Sequence, residues 1–204
     1  MGGEIHSEAL HARGELDYDR GDAPGALGWF ERALDSSPSE IGRERLLLNI
    51  AAASLDMGSR SVARDALLVL AVTAQTSNTR WLAVVNLLEV ATLDRNEIAF
   101  EQYRRDLGNS ALPPRTAAYF AIYEGHGFRA FGRKEQARES YRRAGALAVA
   151  HGFARIARDA NSALDDLESN VTLLRPQAEL ALPASLVALA ARMRGMREEA
   201  VGAA

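Results

Sequence analysis

Apolar residues along this chain recur every three or four positions, and no stretch alternates cleanly over more than a few residues. That period puts them on one side of an α-helix, whereas a half-buried strand would alternate every second residue. Leu46, Leu47, Ile50, Ala53, Ser54 and Met57 trace one helical stripe, and Ala63, Ala66, Leu67 and Leu70 trace the next. Short polar breaks separate the stripes at Gly21-Asp22-Ala23-Pro24, Gly58-Ser59-Arg60-Ser61, Asp94-Arg95-Asn96 and Gly132-Arg133-Lys134. A glycine supplies the left-handed residue that ends a helix, and Asp or Ser caps the helix that follows. Pro24 suits a first helical turn, where its missing N–H costs nothing. The expected fold class is all-α.

The breaks are also periodic. Gly21 and Gly58 lie 37 residues apart, and Gly132 follows two further periods on. A fixed period of this size marks stacked helix pairs. Side chains repeat with it: Ala26, Phe30, Ala33-Leu34 and Pro38 follow the first break, and Ala137, Tyr141 and Ala144 follow the last. A small residue lets two helices approach closely, and an aromatic four residues on fills the space under the next pair. The third break lacks glycine and reads as one residue short.

On these residues the chain resembles the tetratricopeptide repeat (TPR) family. Its pattern runs through Gly14, Gly21-Asp22, Ala26, Phe30, Ala33-Leu34 and Pro38, and again through Gly125, Gly132, Ala137, Tyr141 and Ala144. The second unit (Ala51, Gly58, Ala63, Leu67) is weaker, and the third, with Ala99 and Tyr103, is weakest. The 37-residue spacing exceeds the family's usual 34 or so, as in the longer-helix repeats of bacterial regulatory and adaptor proteins. The resemblance implies an α-solenoid of about four helix pairs over residues 4–168, closed by a helix at Ala154–Glu168. Residues 169–183, with Pro176 and Pro183, are expected to be a linker. Asn170-Val171-Thr172 is a glycosylation sequon by letter only. An amphipathic C-terminal helix is expected over 184–200, with its stripe at Leu182, Leu186, Leu189, Met193, Met196 and Ala200. Three readings stand for that helix: a cap on the last repeat, a dimerisation element, or an occupant of the groove.

In the family, the first helix of each pair lines a concave groove. The resemblance therefore implies a peptide-binding groove built from Glu15, Tyr18, Arg45, Leu48, Asn49, Val85, Asn86, Glu89, Tyr119, Ile122, Tyr123, His126 and Arg129. Glu8, His11, Ala12, Ala52 and Leu82 stand at neighbouring groove positions. Chaperone-binding members hold a C-terminal carboxylate with lysines, asparagines and an arginine. Here His11, Glu15, Leu82 and Asn86 replace four of those five, which argues against that ligand. Asn49, Asn86, Tyr123 and Asn161 recur at one position of successive helices. Amides there can pair with the backbone of an extended peptide, or else bond only the neighbouring helix. Trp29, Phe30, Tyr103 and Tyr141 are expected in the core.

Composition narrows the function classes. The chain has 204 residues, 48% hydrophobic and 25% charged, the balance of a globular protein. It has no cysteine, which removes disulfides, thiol catalysis and cysteine zinc sites. A net charge of −3 gives no nucleic-acid footprint. The longest apolar run, Ala66 to Val72, is far short of the roughly 20 residues that span a bilayer. The N-terminus lacks a secretion signal, so the expected location is cytoplasmic. The first forty residues hold nine acidic and three basic side chains. This excess either steers a basic partner or simply solvates a terminal repeat. His6, His11, His126 and His151 lack metal-binding spacing, and neither a phosphate loop nor a serine elbow is present.

The expectation is thus a non-enzymatic protein–protein interaction module, an adaptor or scaffold without metal or cofactor, that binds a peptide segment of another protein. Neither nucleic acid nor membrane is an expected partner. One alternative is a peptide-sensing regulator related to TPR-containing transcription regulators but lacking a DNA-binding domain. The other is a scaffold that self-assembles through residues 184–200.

Overall fold

In a computed structural model the described residues are 2–36, 38–169 and 186–203, and they form ten helices with no strand among them. In chain order these are α1 (Gly2–Asp19), α2 (Ala23–Asp35), α3 (Glu40–Asp56), α4 (Arg60–Thr73) and α5 (Ser77–Leu93). They continue with α6 (Glu97–Gly108), α7 (Pro114–Ala130), α8 (Lys134–Ala150), α9 (Ala154–Glu168) and α10 (Val187–Gly202). Ser169 and Leu186 are described. The rest of the expected linker, the sequon, Leu182 and residues 184–185 lie outside the described residues.

The 37-residue period is written into the backbone. Gly21, Gly58, Arg95 and Gly132 stand one period apart and all have positive φ, at 83°, 73°, 55° and 79°. The residue after each sends its N–H back five positions: Asp22 to Asp17, Ser59 to Ser54, Asn96 to Ala91 and Arg133 to Phe128, at 2.7–2.9 Å. This bond satisfies a carbonyl that the helix end leaves unpaired, and it reverses the chain into the next helix. The third break is therefore full length, which corrects the expectation that it is a residue short. Arg95 takes the glycine's place, and its guanidinium reaches the Ala130 carbonyl. A fifth turn of the same kind, at Gly152 (φ 72°), starts α9.

Two compact units divide the chain, one formed by Met1–Ala83 with α10 and the other by Val84–Pro176. In the first, α1 packs on α2, α2 on α3 and α3 on α4. In the second, α7 packs on α8 and α8 on α9. One interlock recurs in both. Gly14 of α1 faces the Phe30 ring, Gly125 of α7 faces the Tyr141 ring, and a Cβ added at either glycine would overlap that ring. Phe30 and Tyr141 are fully buried, as expected for core aromatics. The α7–α9 core is mostly alanine: Ala118, Ala121, Ala144, Ala148 and Ala160 surround Ile122 and Ile156.

Of the three readings of the C-terminal helix, a cap on the last repeat is corrected, because its partner is α4. It buries Leu186, Leu189 and Met193, and Arg197 Nη1 stands 2.7 Å from Asp65 Oδ1.

The glycines separate three physical effects. Gly125→Ala should cost about 1–3 kcal/mol through overpacking, and Gly132→Ala about 1–2 kcal/mol through its φ alone. Gly28→Ala, inside α2 with open space around it, should instead stabilise by about 0.5–1 kcal/mol. Urea unfolding followed by circular dichroism measures all three.

Candidate functional site

The N-terminal unit joins several of the expected groove residues at the faces of α1 and α3. Asn49 Nδ2 lies 2.8 Å from His11 Nε2 and 3.4 Å from Glu15 Oε1. An amide N–H donating to Nε2 requires the neutral imidazole with its proton on Nδ1. Burial lowers the His11 pKa, and the Arg45 charge lowers it further, against the opposing pull of Glu15 and Glu8. The Phe30 ring lies 5.8 Å from the imidazole, so His11 sits between the interhelical core and the polar face. Beside it, a shallow cleft is lined by Glu4, Ser7, Glu8 and His11 from α1, and by Ser39, Gly42, Arg45 and Leu46 from the start of α3. Glu15 and Arg45 are exposed, while Leu48 and Asn49 are half-buried. Tyr18, half-buried, donates its hydroxyl proton to Asp56 Oδ2 at 2.7 Å. Asn49 thus bonds the neighbouring helix α1.

The C-terminal unit brings together a second group. The Tyr123 hydroxyl bonds the Glu89 carboxylate, and burial together with that negative charge pushes the phenol pKa well up. The Tyr123 ring meets His126 edge-on at 5.8 Å, and His126 meets Tyr141 at 5.6 Å. Burial pushes the His126 pKa down to about 4; Arg129 adds to the shift and Asp159 opposes it. Arg129 donates to the Asp166 carbonyl at 3.4 Å. Burial also raises the Tyr141 phenol, to about 12, against the nearby Arg129 charge. Tyr119 and Asn86 are half-buried.

Two expected groove residues are corrected. Val85 is 1% exposed and Ile122 is 5% exposed, and Ile122 belongs to the α7–α9 core. Neither side chain is open to an external peptide. Their spacing fits a groove stripe, but in a layered helical array both sides of a helix carry apolar residues.

Sequence reading missed the chief ionic cluster. Glu124 of α7 is buried, accepts from Ser140 Oγ at 2.8 Å and pairs with Arg143 at 2.5 Å and Arg104 at 3.7 Å. Glu101 pairs with Arg104 and Arg133. Burial opposes its charge, yet those bonds outweigh the burial and leave its pKa below the ordinary value. Arg133 also lies 4.4 Å from the Phe128 ring centroid. The one available signal was an acid inside an apolar helix, with serine and arginine one turn apart on the next. Among the described residues no group of three or more histidines and acids stands where it could hold a metal ion. No helix among them is long and apolar enough to cross a membrane.

No family model, curated protein or solved structure matches this chain.

The two histidines set a pH dependence. Each has a folded pKa below its unfolded value near 6.5, so the unfolded chain binds more protons and stability falls as pH drops below that value. For His126 the loss accumulates between pH 6.5 and about 4 and amounts to roughly 2–3 kcal/mol. Urea midpoints at pH 7 and pH 5 should differ accordingly, and His126→Gln should flatten the difference. An unchanged difference in the variant would remove His126 as its cause.

Proposed function

We propose that the chain is a TPR-like α-solenoid acting as a non-enzymatic interaction module that binds a peptide segment of another protein. The observation that carries this reading is the internal repeat. Four turns, one period apart, share a positive φ and the same five-residue backbone bond, and Gly14–Phe30 reappears as Gly125–Tyr141. Such repeats exist to extend a scaffold, and their first helices are the surfaces left to offer a ligand. In the N-terminal unit the accessible set is Glu15, Tyr18, Arg45 and Leu48. In the C-terminal unit it is Asn86, Glu89, Tyr119, Tyr123, His126 and Arg129.

The mixture suits a peptide better than a small metabolite. Aromatic and aliphatic side chains give contact area, while carboxylates, guanidinium groups and amides meet backbone and polar side chains. Asn49, held by His11 and Glu15, orients α1 against α3 and contributes through that geometry. Partner specificity comes from the exposed acids of α1 together with Arg45. The regulator reading shares this ligand chemistry and would add a DNA-binding partner.

Selection of a random peptide library on the purified protein tests the proposal. It should yield binders with dissociation constants in the micromolar range, typical of a single short segment. Arg45→Glu should weaken them at least tenfold with the melting temperature unchanged, and Tyr119→Ala should weaken them similarly while lowering the melting temperature, because its ring packs on the α7–α9 core. Asn49→Ala should lower the melting temperature as well. A library that yields no binder would overturn the reading.

A further inference from the structure

Asn49 is tied to α1 by one branch of its amide only. Its Nδ2 stands 2.8 Å from His11 Nε2 and 3.4 Å from Glu15 Oε1, and His11 Nε2 stands 3.6 Å from that same oxygen. Polar atoms of α1 and α3 thus meet in one small triangle. A carboxylate only accepts hydrogen bonds, so the Asn49 atom beside Glu15 is the amide nitrogen and not the carbonyl oxygen. That nitrogen carries two N–H groups, one for the carboxylate and one for the imidazole, which must offer a lone pair at Nε2. The Asn49 carbonyl oxygen, on the other branch of the planar amide, points away from both partners. Arg45 and Ala52, four residues before and three after, share this side of α3.

The arrangement suits one charge state of His11. A proton on Nε2 would set an N–H against the N–H of Asn49, and leaving a buried donor to face a donor is costly. His11 is 5% exposed, which leaves little room for water to intervene. A half-turn of the Asn49 amide about its last side-chain bond restores the match, because Oδ1 then accepts from the imidazolium. The same half-turn sends Nδ2 to the side that the oxygen held. The groups around the ring are divided. Burial lowers the His11 pKa, Glu15 opposes this, Arg45 adds to it and Glu8 opposes it again. Helix α2 meets the ring with Phe30, and Glu4 lines the cleft beside it. The balance keeps the ring neutral at pH 7, and acid supplies the proton.

We propose that His11 is a positioning residue that sets the hydrogen-bond polarity of Asn49 in the groove. With a neutral ring Asn49 offers an acceptor, the complement of a peptide N–H. With a protonated ring it offers a donor, the complement of a peptide carbonyl. The ligand in this proposal rests on the peptide-groove reading, whereas the reversal itself does not.

Nuclear magnetic resonance on the isotope-labelled full chain tests the reversal without any ligand. At pH 7 the ring couplings should place the His11 proton on Nδ1. As the pH falls, the Asn49 side-chain amide signals should move with the same midpoint as the His11 ring. In His11→Gln, whose amide stands near the place of Nε2 and does not titrate, they should stay still over that range. A proton on Nε2 at pH 7 overturns the proposal. So does an Asn49 amide that stays still while His11 titrates, or a His11 that stays neutral until the chain unfolds. All three are read on wild type and stand even if the variant fails to fold. A binder selected from the library should bind wild type about tenfold more weakly below the His11 midpoint than at pH 7, the worth of one exchanged hydrogen bond. Its affinity for His11→Gln should not change. With the amide signals moving, an equal affinity for wild type at both pH values overturns the contact of Asn49 with the ligand. A library without binders overturns the groove reading alone.

Discussion

The arrangement of these helices depends on a turn in which one residue adopts a left-handed conformation while the next donates its N–H five positions back. A helix end leaves carbonyls without partners, and burying such an end is costly. The turn removes that cost locally and lets two helices run side by side with almost no loop. Everything that follows in each pair needs this proximity. Gly14 can meet Phe30, and Gly125 can meet Tyr141, only because the two helices leave the turn at close quarters. The alanines of the α7–α9 core depend on it too, since small side chains gain contact only when backbones approach closely.

This also decides what could be read in the letters. The breaks between helices and their period were legible because both are set by local chemistry, and α9 runs over Ala154–Glu168 as its pattern predicts. The third turn was legible as a break but not at its true length, because arginine occupies a backbone position that elsewhere belongs to glycine. The surviving clue was Asn96, which caps α6 by accepting from the Ala99 N–H. Candidate groove residues were legible as positions on first helices but not as accessible surface. Val85 and Ile122 share the spacing of the groove stripe, yet their burial is set by elements remote in sequence. The engagement of Asn49 with His11 is equally non-local, 38 residues apart.

The ionic cluster of the C-terminal unit shows how a helical array tolerates a buried acid. Glu124 is satisfied by a hydroxyl and two guanidinium groups, which offsets the cost of desolvating its charge. Arg133 ion-pairs with Glu101 while lying over the Phe128 ring. A flat, delocalised cation can do both at once, whereas an ammonium group cannot. These contacts join α6, α7 and α8 by electrostatics beside the packed rings of Phe100, Phe128 and Phe131.

Nearly every other contact in the molecule joins helices adjacent or close in sequence, but α10 meets α4 across 132 residues. Closing a loop of that length in an unfolded chain costs roughly 4 kcal/mol of entropy. Local pairs have no such barrier, so they form early and the α10 contact forms late. The same inequality holds in reverse. Release of the C-terminal helix regains the chain entropy of that long closure, so its backbone amides should trade hydrogen for deuterium before those of α7 and α8. The chain thus combines a scaffold that assembles from neighbours with one attachment that works on a different clock.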